Sequence, residues 1–236
     1  MTLPLVWIPG HLCGPWLYAP QLAVFGGERQ MVMADTMQDD DLGAMAERLL
    51  TDAPERFVLA GLSMGGMVAM EVLARAPDRV AGAVLMDTDP SRARAKEIEW
   101  RSGLLGQVRE AGLDTYVAPF VERFFLHDAA VAERLGPLVR RMMRETPHAV
   151  AEAQARALDT RREMAPLIAG YDGPVEIIVG AEDKICPPRL HIPLAEGLAG
   201  AVLTEIPHCG HLATIEAPDL VNERIAALLD RVEPAG

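Results

Sequence analysis

The chain has 236 residues, half of them hydrophobic, and a formal net charge of −12. That length and apolar share suit one compact α/β domain, and the acidity argues against nucleic acid or an anionic membrane as a partner. No apolar stretch approaches the roughly 20 residues that span a bilayer, and Cys13, Cys186 and Cys209 are too few and too irregular for a disulfide framework or a zinc pattern, so a reducing cytoplasm fits best.

The N-terminal run MTLPLVWIPG has neither the basic flank nor the small-residue cleavage site of a signal peptide, and it reads as a first strand, Leu3–Pro9. The stretch Pro9-Gly10-His11-Leu12-Cys13-Gly14 then makes a turn in which Gly10 lets the chain double back, leaving the N–H of His11, or of Leu12, facing inward. A second strand, Gln30–Asp35, precedes a helix over Leu42–Thr51, and a third strand covers Arg56–Leu62. It runs into Gly61-Leu62-Ser63-Met64-Gly65, a G-x-S-x-G turn, and then into a helix over Met64–Arg75. A serine on so sharp a strand-to-helix turn has a strained backbone, and its neighbours two residues away must be small because helix and strand nearly touch. The geometry lifts the hydroxyl above the carboxyl edge of a sheet, where ligands bind in open α/β folds.

A fourth strand over Val80–Met86 is followed by a change of rhythm. From Pro90 to Pro166 there is no good strand, only helix-forming sequence interrupted near Gly103, Gly112, Pro119, Gly136–Pro137 and Pro147. About three or four helices fit, many more residues than one crossover needs. The expectation is a helical cap, residues 90–165, inserted into a core made of residues 1–89 and 166–236. The cap carries 13 Lys and Arg against 11 Asp and Glu, whereas the remainder carries 9 against 23; ordinary solvated helix faces are the plain reading of that asymmetry. Trp100, Phe120, Phe124, Phe125, Met142 and Met143 within it either line an apolar pocket or pack the cap on the sheet. Strands over Val175–Gly180 and Ala201–Ile206 and helices over Pro188–Leu198 and Pro218–Val232 complete the chain. Alternating strands and helices of this kind imply a mainly parallel sheet.

A serine hydroxyl is a weak nucleophile near neutral pH and needs an adjacent base that a third group orients. The loop Pro207-His208-Cys209-Gly210-His211 follows the last strand, and His211 is the expected base because Gly210 would let it approach closely. His208 then becomes a loop-packing residue, and His127 and His148 take ordinary surface roles. Asp183, on the loop after Val175–Gly180, is the expected acid; Glu182 would point elsewhere, and Asp87 at the end of Val80–Met86 is the rival. Acyl chemistry also needs donors for an oxyanion. The backbone N–H groups of Met64 and His11 are the candidates, and no metal or organic cofactor is implied.

The pieces VWIPGH, GLSMGGMVAMEVLARAPDRV, IIVGAEDKICPP and IPHCGHLATIEAP, in this order, closely resemble the α/β-hydrolase fold superfamily over nearly the whole chain. They look most like small bacterial serine esterases and enol-lactonases, including carboxylesterases related to pimeloyl-carrier methyl ester hydrolase. The resemblance implies a mostly parallel twisted sheet flanked by helices with an inserted cap, Ser63 as nucleophile, Asp183 as acid, His211 as base, and His11 and Met64 as oxyanion donors. Three departures stand out: Pro9-Gly10 replaces the usual His-Gly, TMQDDDLG stands where many relatives carry D-x-R-G-x-G-x-S, and the sequence starts directly in the first long strand, as if the usual antiparallel edge strands were missing. Dehalogenases and epoxide hydrolases of this fold carry aspartate at the turn, and Ser63 argues against both. The expected activity is hydrolysis of a small-molecule carboxylic ester through an acyl-enzyme. Lactone, thioester, peracid or carbon–carbon bond chemistry on the same residues, and a non-catalytic ligand-binding homologue, are the alternatives, and a homodimer is left open.

Overall fold

Strands that are apolar on both faces can sit only between two layers of helix, and the burial along this chain follows that rule. The computed structural model describes residues 2–111 and 124–233. Its sheet contains β1 (Leu5–Ile8), β2 (Met31–Met33), β3 (Phe57–Leu62), β4 (Val80–Met86), β5 (Val175–Gly180) and β6 (Ala201–Ile206) in the order β2-β1-β3-β4-β5-β6. Every neighbouring pair is parallel. β1, β3, β4 and β5 are buried at every position. Successive side chains alternate between faces. Val58, Ala60 and Leu62 join one core cluster, with α1 (Ala19–Phe25) and α10 (Pro218–Val232); Phe57 and Leu59 join the other, with α2 (Leu42–Asp52) and α3 (Met64–Arg75).

Local signals explain the helix limits. Asp41 caps α2 by accepting the Ala44 N–H, and α10 buries Val221, Ile225, Leu228 and Leu229, a stripe at helical spacing. Glu176 is the one charge inside β5. It is fully buried and paired with Arg224 and Arg231 of α10, which offsets its desolvation. The expected helix over Pro188–Leu198 is split into a 3-10 turn, Pro188–Leu190, and α8 (Ile192–Gly197), because Pro193 lacks the N–H that would continue the first turn. Two short helices, α1 and α9 (Ala213–Glu216), carry too little periodicity to be read in advance.

Within residues 90–165 the described regular structure is helix, α4 (Ala95–Ala111), α5 (Ala129–Glu145) and α6 (His148–Asp159), followed by α7 (Ala165–Ile168). Gly103 and Gly136–Pro137, read as breaks, lie inside α4 and α5. Pro137 removes one backbone bond, but Ala132, Val139, Met142 and Met143 bury the same face of α5 on both sides of it, so packing overrides local propensity. Pro147 is a true boundary, extended at the start of α6. Gly112 and Pro119 lie outside the described residues.

The site's position follows from the topology. β1 lies between β2 and β3, so the chain leaves β1 in one direction along the sheet and returns in the other. A crevice opens at the carboxyl ends of β1 and β3. The turns at Gly10 and Ser63 sit on that crevice.

Candidate active site

Ser63 has φ 57° and ψ −118°, the left-handed backbone a tight strand-to-helix turn demands. Its N–H donates to Met86 O at 2.9 Å, and the Thr88 hydroxyl donates to its carbonyl at 2.8 Å, so β4 and its following loop fix the strained residue. The flanking glycines are sterically required. A Cβ on Gly61 would collide with Gly65, one on Gly65 with the Ile8 carbonyl of β1, and one on Gly66 would lie 2.7 Å from the Thr88 side chain.

His211 Nε2 lies 3.0 Å from Ser63 Oγ, and its Nδ1 lies 2.9 Å from Asp183 Oδ2. The far carboxylate oxygen of Asp183 accepts the N–H groups of Ile185 and Cys186 at 2.7 and 2.9 Å, which pins the acid in one rotamer. His211 is buried, held by its own N–H to Phe125 O at 2.9 Å and by the Phe125 ring at 5.5 Å, edge to face. Gly210 allows a close approach, though to a different neighbour than the hydroxyl. A Cβ there would stand 2.8 Å from both the His127 nitrogen and the Phe125 oxygen. Glu182 points away, accepting the Cys209 N–H at 3.0 Å.

Asp87 does not touch the imidazole. Its two oxygens accept the Gly180 and Ala213 N–H groups at 2.9 and 3.1 Å, tying the end of β5 to the loop after His211. Burial, and then the neighbouring Asp183, push its carboxyl well above the usual range. Two histidine expectations are corrected. His208 does not pack the loop, since its side chain is 88% exposed. His127 is no surface residue: its ring and its N–H both meet Glu216 Oε2 at 3.1 Å, and Glu216 also accepts the Leu212 N–H behind the histidine loop. His148 is half exposed, near Glu152.

The loop after β1 approaches closely: a Cβ on Gly10 would lie 3.5 Å from Ser63 Cβ. Leu12, at φ 58°, gives its N–H to Gln154 Oε1 of α6 at 3.0 Å, and Gln154 Nε2 donates to Thr36 O at 3.1 Å. The alternative donor Leu12 is therefore already engaged. Among the described residues no protein acceptor takes the N–H of His11 or of Met64. The His11 ring lines the same cavity, and burial together with the Arg101 charge lowers its pKa to about 4, so it stays neutral near pH 7. Gln154 and Arg101 escaped the sequence reading because nothing in AEAQARALD or in EWRSG marks one polar side chain of a cap helix over another.

A cavity of about 860 Å³ opens over Ser63, with Leu12, Leu62, Leu104, Phe124, Phe125 and Leu212 in its wall. Trp100 also lines it, whereas Met142 and Met143 are buried core residues and Phe120 lies outside the described residues. The three cysteines are free and buried. Burial pushes the Cys13 thiol up to about 12 and raises Cys186 and Cys209 well above the thiol range, so they fill space as thiols. Asp183, Cys186 and His211 present ligand atoms within 4.8 Å of one another. The acid and the imidazole already bond each other and the sulfur is protonated, a set better suited to moving a proton than to holding a cation.

Comparisons with known proteins agree with this architecture. The sequence model of the Alpha/beta hydrolase family matches residues 5–224. A putative non-heme bromoperoxidase, BpoC, of Mycobacterium tuberculosis is 30% identical over 206 residues, covering 84% of this chain and 73% of that protein. A pimeloyl-[acyl-carrier protein] methyl ester esterase of Aromatoleum aromaticum is 28% identical over 191 residues, covering 75% and 76%. The crystal structure of the enol-lactonase from Burkholderia xenovorans LB400 superposes with a TM-score of 0.85 at 20% identity, over 97% of this chain and 92% of that one. With its parallel sheet, its glycine-flanked serine turn and a family match over most of its length, the chain belongs to the alpha/beta hydrolase family.

Proposed function

We propose that this protein is a serine hydrolase that cleaves a small carboxylic ester through an acyl-enzyme, with Ser63, His211 and Asp183 as its triad. One observation carries the reading: a continuous relay from Asp183 Oδ2 through both nitrogens of His211 to Ser63 Oγ, at 2.9 and 3.0 Å, beside two backbone donors with no acceptor among the described residues. His211 Nε2 takes the Ser63 proton as Oγ attacks the carbonyl carbon. The N–H groups of His11 and Met64 hold the oxyanion, each such donor being worth about 3–4 kcal/mol in the transition state. The imidazolium then protonates the leaving alkoxide, and in the second half His211 deprotonates water to release the acid. Asp183 keeps the Nδ1–H tautomer and stabilises the imidazolium.

Residues 90–165 act in this reading as a lid. α4 and α6 supply part of the cavity wall, and Gln154 and the Arg162–Glu71 pair fasten the segment to the core. Three free buried thiols suit a reducing compartment, the cytoplasm. The relatives' names span ester, lactone, carbamate and bromoperoxidase activities. An enol-lactone presents the same carbonyl to the same serine, so lactones belong beside esters and thioesters in a substrate screen.

The test is Ser63→Ala on p-nitrophenyl acetate and butyrate, with labelling by a fluorophosphonate probe. The expected result is stoichiometric labelling of the wild-type serine, and no turnover above background in a variant that melts normally. Retained turnover in Ser63→Ala rejects the mechanism, and failure of the wild type to label favours a ligand-binding homologue.

A further inference from the structure

The chain as a whole is acidic, at −12, yet the cavity over Ser63 is lined by six Lys and Arg side chains against two carboxylates, Asp89 and Glu97. The six cations are not equivalent. Arg161 is saturated by the fold, donating to the Ser91 and Leu158 carbonyls and to Asp89 and Glu97. Arg94 shares the same two carboxylates.

Arg101 of α4 differs from both. Its side chain is 11% exposed, and among the described residues only Asp159 accepts from it, through Nη1. Among the described residues the Nε and Nη2 donors of this largely desolvated guanidinium meet no acceptor, and they stand in the wall of a cavity. This charge lies close enough to His11 to depress its pKa, so it is felt at the loop that supplies an oxyanion donor. Lys96 on α4 and Arg189 after β5 stand exposed on the same wall, with no carboxylate partner among the described residues.

A guanidinium with unmet planar donors suits a carboxylate or phosphate. Uncompensated cations in a low-dielectric cleft concentrate anions from solution. We propose that the substrate carries an anionic oxygen group, a carboxylate or a phosphate, that binds Arg101 with Lys96 and Arg189 around it, while its ester carbonyl rests at Ser63. The proposal rests on the serine-hydrolase reading and names the substrate class that reading leaves open. Leu104, Phe124 and Phe125 supply the apolar contact for the carbon chain between the two groups.

The experiment compares kcat/KM for monomethyl succinate, an anion at pH 7.5, with that for dimethyl succinate, which is neutral. 1-Butyrylglycerol 3-phosphate against tributyrin forms the phosphate arm. The expected result is at least a tenfold preference for the anion in one arm, shrinking as NaCl rises from 20 to 500 mM; the arm that shows it identifies the group. Arg101→Met should lower the anion-to-neutral ratio at least tenfold. Because that change removes the guanidinium paired with Asp159, the double variant Lys96→Glu/Arg189→Glu provides a second measure that breaks no ion pair among the described residues, and it should lower the ratio as well. No preference in either arm, or a preference that survives both variants, overturns the proposal. Neutral diester cleaved by wild type and not by Ser63→Ala, without any anion preference, would defeat this inference alone. Diester cleaved equally by both proteins would defeat the underlying mechanism.

Discussion

Gln154 is the least conspicuous residue with a strong expected effect. Its amide bridges two buried backbone groups, accepting the Leu12 N–H at 3.0 Å and donating to Thr36 O at 3.1 Å. Gln154→Leu keeps the volume and removes both partners. Each orphaned buried group costs about 1–3 kcal/mol, so with two of them the variant should lose about 2–6 kcal/mol of stability. Leu12 sits at φ 58°, a strained backbone that persists only while its surroundings hold it. Released from Gln154, the loop relaxes and carries the adjacent His11 N–H out of line with the oxyanion. Complete loss of one such donor lowers kcat by about 10²–10³, and partial misalignment should lower it by about 10–100. Gln154→Glu separates stability from catalysis, since its carboxylate can still accept the Leu12 N–H but gives Thr36 O nothing. Steady-state kinetics on p-nitrophenyl butyrate, with urea unfolding of all three proteins, should show both variants destabilised, KM changing little, and kcat ordered wild type, Glu, then Leu. If Gln154→Leu keeps kcat within threefold of wild type, or if the Glu variant falls as far as the Leu variant, the loop does not depend on this amide.

Four further expectations follow from the same geometry. Asp183→Asn should retain the fold and lower kcat by about 10³–10⁴, because the amide cannot hold the Nδ1–H tautomer of His211; p-nitrophenyl ester kinetics check it, and a loss below tenfold would refute that role. Gly65→Ala forces a methyl against the Ile8 carbonyl and should destabilise by about 3 kcal/mol or more, or prevent soluble expression; a melting temperature equal to wild type would contradict the packing. His11 has a native pKa of about 4 against an ordinary 6.5, so the unfolded chain takes the proton first and stability present above pH 6.5 is lost on acidification towards 4, by at most about 3 kcal/mol. His11→Asn should show less of that loss in urea unfolding at pH 7 and 4.5. Asp87 has the opposite sign: its carboxyl stays protonated to higher pH in the native state than in the unfolded chain, so its contribution falls as pH rises from about 4 through the raised native value. Melting temperatures between pH 4 and 8 should therefore decline less steeply for Asp87→Asn than for wild type, and parallel curves would remove Asp87 as the cause.

The strands were legible because they are short apolar runs bounded by glycine and proline. Ser63 was legible because the steric demand of its turn is written in three glycines. Asp183 and His211 could be found from their places after β5 and β6, where the topology brings loops to one edge. The continuity of α5 through Gly136–Pro137 was not legible, since it depends on what the helix packs against. The role of Glu216 was equally hidden. A carboxylate in ATIEAP looks solvated in sequence, and only the fold shows it accepting three hydrogen bonds or contacts behind the histidine loop.

The rivalry between Asp87 and Asp183 for the acid position has a physical resolution. Both are buried at the same sheet edge, and burial followed by the neighbouring Asp183 charge disfavours the ionised form of Asp87. They are separated by what they accept. Asp183 has one oxygen saturated by two N–H donors of its own loop, which leaves the other free for the imidazole. Asp87 commits one oxygen to β5 and the other to the chain beyond His211, which leaves nothing to aim at the ring. Its bonds fix the distance between the acid-bearing loop and the histidine-bearing loop. In the proposed mechanism Asp87 is thus a positioning residue for the relay, a carboxyl whose pKa burial raises and that the chemistry does not require to be charged.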